Sequence, residues 1–196
     1  PMTRQEARAL LKPVTVPEGK SGSVTIERFE IVDDFQMRLF NLRAGSRSVR
    51  PGTYTRLRRN GALWVTDTDA EREDHVEAVR NARGRVLVAG LGIGLVAEAM
   101  LRNRDVSLVR IVEIDPDVCA LVAPHLHKLG RGRIQIVTAD AMTYKPQKKE
   151  RYDCVWLDIW ADICGDNLPA IKTLKARWRR RTDWIGAWCE DEARYA

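Results

Sequence analysis

Four short stretches hold residues fit for chemistry. "AGLGIG" sets Gly90, Gly92 and Gly94 at alternate positions after an apolar run. Glycine lets the backbone turn tightly and come close to a ligand, and such a loop can hold a nucleotide. "RIVEIDPDV" places Glu113 19 residues beyond Gly94. A carboxylate there can accept hydrogen bonds from both hydroxyls of a ribose. "RIQIVTADAMTY" supplies Asp140, followed by Ala141, where a carboxylate can accept from an adenine amino group. "YDCVWLDIWAD" supplies Asp158 at the mouth of the pocket, then Trp160 and Asp162. An acid, an aromatic wall and a second acid suit a cationic amine, by charge and by cation–π contact. Asp158 is the candidate base, or the acceptor of an amine proton.

Several chemistries are set aside by spacing. The dinucleotide fingerprint G-x-G-x-x-G/A, counted from Gly90, would need glycine or alanine where Leu95 stands. No G-K-[ST] follows, so this is no phosphate loop of the Walker type. Glu113 suits a nicotinamide nucleotide as well as an S-adenosyl one, and Asp140 separates the two. "DIWA" is not the [DNS]-P-P-[YFW] of amino-methylating DNA enzymes, and "ICGDNLP" lacks the Pro-Cys of cytosine-C5 enzymes. Nothing near Cys164 lowers its pKa. His125 and His127 in "PHLHKL" come without a carboxylate or cysteine set, so both are assigned to a helix surface and no metal is expected.

The elements that must position these groups follow a rhythm. From residue 85 onward, strands and helices alternate: strands at 85–90, 107–114, 133–139, 152–159 and 183–189, helices at 94–103, 116–129 and 168–180. That order predicts a doubly wound, mostly parallel α/β sheet with right-handed crossovers, with ligands outside the carboxyl ends of its strands. Before it, residues 66–83 read as one helix, capped by Thr68 or Asp69 and ended by Gly84. Residues 3–11 read as a short helix, 23–32 as a strand and 37–42 as its partner. Residues 43–61 read as loop and 62–65 as a short strand. We therefore expect a β-rich extension over 1–65 and a nucleoside-binding, Rossmann-like domain over 66–196.

Read in order, "VLVAGLGIG", "VEIDPDV", "VTADAM" and "YDCVWLD" resemble the four successive motifs of class I S-adenosylmethionine-dependent methyltransferases, over roughly residues 66–189. The "VEID" and "YD…LD" phrasing is most similar to the spermidine synthase branch, which has a β-rich N-terminal piece and an acidic helix carrying histidine. "TDTDAEREDH" matches that helix, with His75 as the histidine. The resemblance implies that Gly90, Gly92 and Gly94 surround the methionine part of S-adenosylmethionine. It places the ribose on Glu113 with help from Asp115, and the adenine on Asp140 and Ala141. Catalysis falls to Asp158, Asp162 and His75, and the substrate pocket to Tyr54 and Trp160. The leading expectation is methyl transfer to an unidentified acceptor, leaving S-adenosylhomocysteine. The alternatives are aminopropyl transfer, breakdown of the cofactor, or a non-catalytic domain that binds nucleic acid or protein. The loop reads "DIWAD" rather than a D-S-S-D type. The expected fold is shortened after its fifth strand, so the substrate side is reduced or completed by another copy in a homo-oligomer.

The 196 residues suffice for one core with a small appendage. No apolar run reaches the ~18 residues that span a bilayer. With no apolar leader and four scattered cysteines, a reducing, cytoplasmic setting is expected. Pro1 ahead of Met2 reads as a remnant of a cleaved tag. The net charge is +6 and uneven: twelve basic against six acidic residues up to Asn60, 14 against 17 to Ala170, seven against four beyond. The basic stretches 56–59 and 171–181 are candidates for one positive surface beside the pocket, facing a nucleic acid.

Overall fold

In the computed structural model, which describes residues 2–195, the apolar run forms β5 (Gly84–Ala89) at the centre of a five-stranded sheet. Pro1 lies outside the described residues. The other strands are β6 (Val106–Glu113), β7 (Ile134–Thr138), β8 (Tyr152–Leu157) and β9 (Thr182–Ala187), in the order β7-β6-β5-β8-β9. Every pairing is parallel. Helices cover both faces, which is why the central strands are continuously apolar. On one face α4 (Val76–Asn81), α5 (Leu95–Arg102) and α6 (Pro116–Gly130) pack against Val86, Val88, Ile111 and Trp156. On the other, α7 (Leu168–Trp178) packs Ile171, Leu174 and Trp178 against Leu87, Val155 and Leu157. The chain therefore forms the doubly wound α/β fold that its rhythm predicts. The order reverses between β5 and β8, and that switch point opens a crevice at their carboxyl ends.

The N-terminal sheet is antiparallel: β1 (Gly19–Ser21), β2 (Val24–Ile31), β3 (Gly52–Arg59) and β4 (Ala62–Thr66). Two expectations are corrected here. Residues 37–42 are not a strand but lie in α2 (Phe35–Ala44), started by Asp34, whose side chain accepts from Met37 N at 2.8 Å. Residues 52–59, expected as loop, pair with β2 along its whole length. The turn into β4 is Asn60-Gly61, both at positive φ (50° and 78°), the geometry of a tight hairpin. Arginines mask the strand pattern, yet Arg56 stands opposite Glu27 and bonds it at 2.7 Å.

The single helix expected over 66–83 is two, α3 (Asp69–Asp74) and α4, broken at His75 (φ −96°, ψ 0°). Gly84 does not close that helix. It opens β5 at φ +55°, where a Cβ would fall 2.2 Å from the Asp153 carboxylate.

Ahead of the sheets, α1 (Arg4–Leu10) is fastened by a Thr3–Glu6 capping box. The strap that follows is bolted at two buried carboxylates. Val14 N donates to Asp67 at 2.9 Å, and Thr15 N donates to Glu98 at 2.9 Å. Glu98 also takes Arg102 at 2.6 Å and His125 at 3.1 Å, so His125 is a partner of a buried acid and not a free surface residue.

Candidate active site

Five strand ends and the α3–α4 break meet at the switch point around a cavity of about 180 Å³. Of the residues singled out in the sequence, His75, Gly90, Gly92, Glu113, Asp140, Ala141, Asp158 and Trp160 line it.

Gly90 ends β5 at φ +98°, and a Cβ there would sit 1.8 Å from the Asp158 carbonyl oxygen. Glycine is required for the two strand ends to close together. Gly92 stands at φ +51°, and a Cβ there would touch Val65 at 3.5 Å. Glu113, at the end of β6, is buried; one carboxylate oxygen accepts from Leu91 N at 2.8 Å and the other from Asp115 N at 2.8 Å. A carboxylate has about four acceptor positions, so half remain for a ligand. Asp140 uses Oδ1 to accept from Met142 N at 2.7 Å and keeps Oδ2 free of protein donors.

Electrostatics dominate the far wall. Asp158 follows β8, and its carboxyl is pushed well above the usual range by burial, then by Glu71, Asp74 and Glu113. His75 Nε2 is 3.9 Å from Asp158, and its Nδ1 has no partner. Burial, with Arg47, drives the imidazole down to about 3. His75 is therefore neutral, edge-on to Trp156 at 5.9 Å, and Asp158 holds a proton more readily than an ordinary carboxyl.

Sequence reasoning missed three lining groups. Glu71 in α3 is pushed up to about 7 by burial and the neighbouring Asp74. Trp188 follows β9 and has an indole N–H without a partner. Arg59 reaches the cavity from β3, stacks 4.4 Å over Trp64 and bonds Asp115 at 2.5 Å. The carboxyl-end rule already applied to the other strands pointed to Trp188, and the run "AEREDH" contained Glu71.

Four expected residues lie outside the lining. Gly94, at φ +83°, starts α5, and its missing side chain lets Val122 of α6 approach. Asp115 caps α6 by accepting from Asp117 N, and holds Arg59. Asp162 is exposed beyond the rim. Tyr54 is buried in β3 and donates to Arg50 O at 2.9 Å, fixing the N-terminal sheet to the start of α3. The two basic stretches do not form one surface. Arg56 and Arg58 pair with Glu27, Arg59 with Asp115 and Lys175 with Glu190, while Arg179 and Arg180 precede β9 at the opposite end of the sheet. Among the described residues no cluster of three metal-ligating side chains occurs, and no helix is long and apolar enough to cross a membrane.

No family model matches the chain. Polyamine aminopropyltransferase 1 of Streptomyces coelicolor is 34% identical over 113 residues, 53% of this chain and 21% of that protein. Polyamine aminopropyltransferase 2 of Ralstonia nicotianae is 33% identical over 116 residues, 53% of this chain and 22% of that protein. The chain thus spans about a fifth of the length of these curated relatives. Among solved structures, spermidine synthase from Thermotoga maritima superposes with a TM-score of 0.49 at 18% identity, over 83% of this chain and 53% of that one. The N-methyltransferase NodS from Bradyrhizobium japonicum does so at 0.42 and 14%, over 55% and 62%.

Proposed function

We propose that the chain is the catalytic core of a transferase that moves the aminopropyl group of decarboxylated S-adenosylmethionine to an amine. The residues present fit the adenosine part. Gly90 lets the ends of β5 and β8 close together at the crevice, Glu113 has spare acceptor positions for ribose hydroxyls, and Asp140 has an oxygen without a protein donor among the described residues for the adenine amino group. A bound sulfonium would supply electrophilic carbons next to sulfur.

The observation behind the choice of group is the pair Glu71 and Asp158, two half-buried carboxyls in one cavity walled by Trp160 and Trp188. A donor with an α-carboxylate would bring further negative charge to a site that already holds these two partly neutral. A donor or acceptor with an ammonium group relieves them, because an opposite charge favours the ionised carboxylate. With an ammonium alongside, Asp158 becomes a carboxylate able to take the proton from the attacking amine. The neutral, buried His75 keeps that side dry and adds no charge. The names of the curated relatives agree with this reading.

Methyl transfer from S-adenosylmethionine is the second reading, favoured by Arg59, a guanidinium at the cavity that can meet a methionine carboxylate. The two are separated by incubating the chain with each sulfonium and 1,4-diaminobutane, with mass spectrometry of the products. The expected result is an aminopropylated amine and 5′-methylthioadenosine from the decarboxylated donor alone. A methylated product from S-adenosylmethionine establishes the second reading. Saturable NADH binding with no heat from either sulfonium or S-adenosylhomocysteine overturns both.

A further inference from the structure

The end of the sheet opposite the cavity is basic across all five strands. Arg131 and Arg133 precede β7, Arg104 precedes β6, and Arg83 and Arg85 bracket the start of β5. Lys148, Lys149 and Arg151 precede β8, and Arg179, Arg180 and Arg181 precede β9. Three of these cations are half-buried or paired with an acid. Arg133 donates to the carbonyls of Leu101 and Val106, Arg181 donates to Gln147 O, and Arg83 lies 3.3 Å from Asp183. The other eight are exposed, and among the described residues none has a carboxylate within ion-pair distance.

The segments form one surface. Arg85 Nε reaches Arg151 O at 3.4 Å, Arg151 Nη1 donates to Arg180 O at 3.0 Å, and Arg181 ties down the loop that carries Lys148 and Lys149. Beside them, a groove of about 910 Å³ is lined by Arg80, Arg83, Arg102 and Arg104 together with the acids Glu6 and Asp105; of the four arginines, Arg104 is the one without an ion pair among the described residues. Of the nearby acids, Glu150 is buried against Arg110, Asp153 accepts from Arg85 N and Asp183 pairs with Arg83, while Asp105 stands exposed beside Arg104.

Fold stability accounts for part of this charge. α4, α5, α6 and α7 all end here, and cations favour helix C-termini. Each end is worth about half a negative charge, so four ends call for about two cations, against eight exposed ones. Five strands at ~4.8 Å spacing make the row ~19 Å wide, which matches about five phosphates at ~3.4 Å per nucleotide. Six of the eight are arginines, whose planar fork meets phosphate oxygens in pairs. The large apolar side chain exposed at this end is Leu129, too little to anchor in a bilayer.

We propose that the amino-end face of the parallel sheet binds the phosphate backbone of a nucleic acid. The six-residue β5 separates this face from the cavity by ~20 Å, so the nucleic acid is held as a tether and not as the acceptor. The proposal goes beyond the transferase reading and stands or falls apart from it.

The test is fluorescence anisotropy with a labelled single-stranded RNA and a labelled DNA duplex, on the wild-type chain and on the Lys148→Glu, Lys149→Glu, Arg179→Glu, Arg180→Glu variant. Raising salt from about 50 to about 200 mM should weaken single-strand binding about a hundredfold, given ~0.7 counterions released per phosphate over five phosphates. The variant should lose binding at the lower salt while its thermal unfolding and its affinity for S-adenosylhomocysteine match wild type. A second variant, Lys148→Glu, Lys149→Glu, serves if the fourfold one does not fold, and should bind at least ~10-fold more weakly. No binding by the wild type at low salt overturns the proposal, as does binding that survives charge reversal. Retention by phosphatidylserine vesicles without RNA or DNA binding also overturns it, in favour of a lipid surface.

Discussion

The two ends of the parallel sheet gather charge of opposite sign and treat it differently. At the carboxyl end Glu71, Glu113, Asp140 and Asp158 crowd one cavity, and burial drives Glu71 and Asp158 toward their neutral forms. At the amino end most of the cations stand in solvent without a paired acid among the described residues, and their field reaches outward. Like charges brought together inside a protein become stored protonation, ready for proton transfer. The same crowding on the surface becomes long-range attraction. The backbone supports this polarity, since helix N-termini face the acids and helix C-termini face the cations.

Three substitutions at the acidic end test the division, and none should alter the salt-dependent binding at the basic end. The largest effect is expected from Asp158→Asn. It removes the proton acceptor but keeps the shape, so turnover should fall ~10²- to 10⁴-fold while S-adenosylhomocysteine affinity stays within a few-fold. Wild-type turnover in that variant would make Asp158 structural. Next is Glu113→Ala. Charge-assisted hydrogen bonds are worth roughly 1.5–3 kcal/mol, so titration calorimetry should show a ~10- to 150-fold loss of S-adenosylhomocysteine affinity. The same change frees Leu91 N and Asp115 N, so faster amide exchange in the glycine loop should accompany it.

The smallest effect is on stability. Glu71 is at about 7 in the folded chain, against an ordinary value of 4.5. The folded state therefore binds the proton more tightly, and stability falls as pH rises from about 4.5 through about 7. Glu71→Gln should abolish that fall. At pH ~8 the variant should be ~1–3 kcal/mol more stable than wild type, ~2–4 °C in melting temperature per kcal/mol, with the gap closing toward pH ~4.5. A gap that is equal at both ends of the range would mean that Glu71 is ionised in the empty cavity.

The parallel sheet was legible because β5 is a continuous apolar run, the other strands are short and largely apolar, and they alternate with helices of helical apolar spacing. Ile171, Leu174 and Trp178 fall on the buried side of α7 as their spacing requires. The N-terminal sheet was less so. β3 alternates, but with arginines whose charges are met by Glu27 and Asp115 from other segments, and that pairing is invisible along the chain. The Asn60-Gly61 turn was the available signal. Likewise Glu98 reads as an ordinary helix acid until the strap at Thr15 and the ring of His125 arrive from elsewhere. In the cavity, residues fixed by strand ends were readable. Glu71 and Arg59 depend on how α3 and the hairpin fold back over the sheet, which local sequence does not encode.

The N-terminal strap also bears on the order of folding. Its bond to Asp67 spans 53 residues and its bond to Glu98 spans 83. Closing loops of that length is rewarded only when both acceptors already stand in place. The strap can therefore dock only once α5 has placed Glu98, beside Arg102 and His125, and the chain after β4 has placed Asp67. The strap thus acts as a late check on the fold: it closes only where two acids from separate elements already stand at the right spacing.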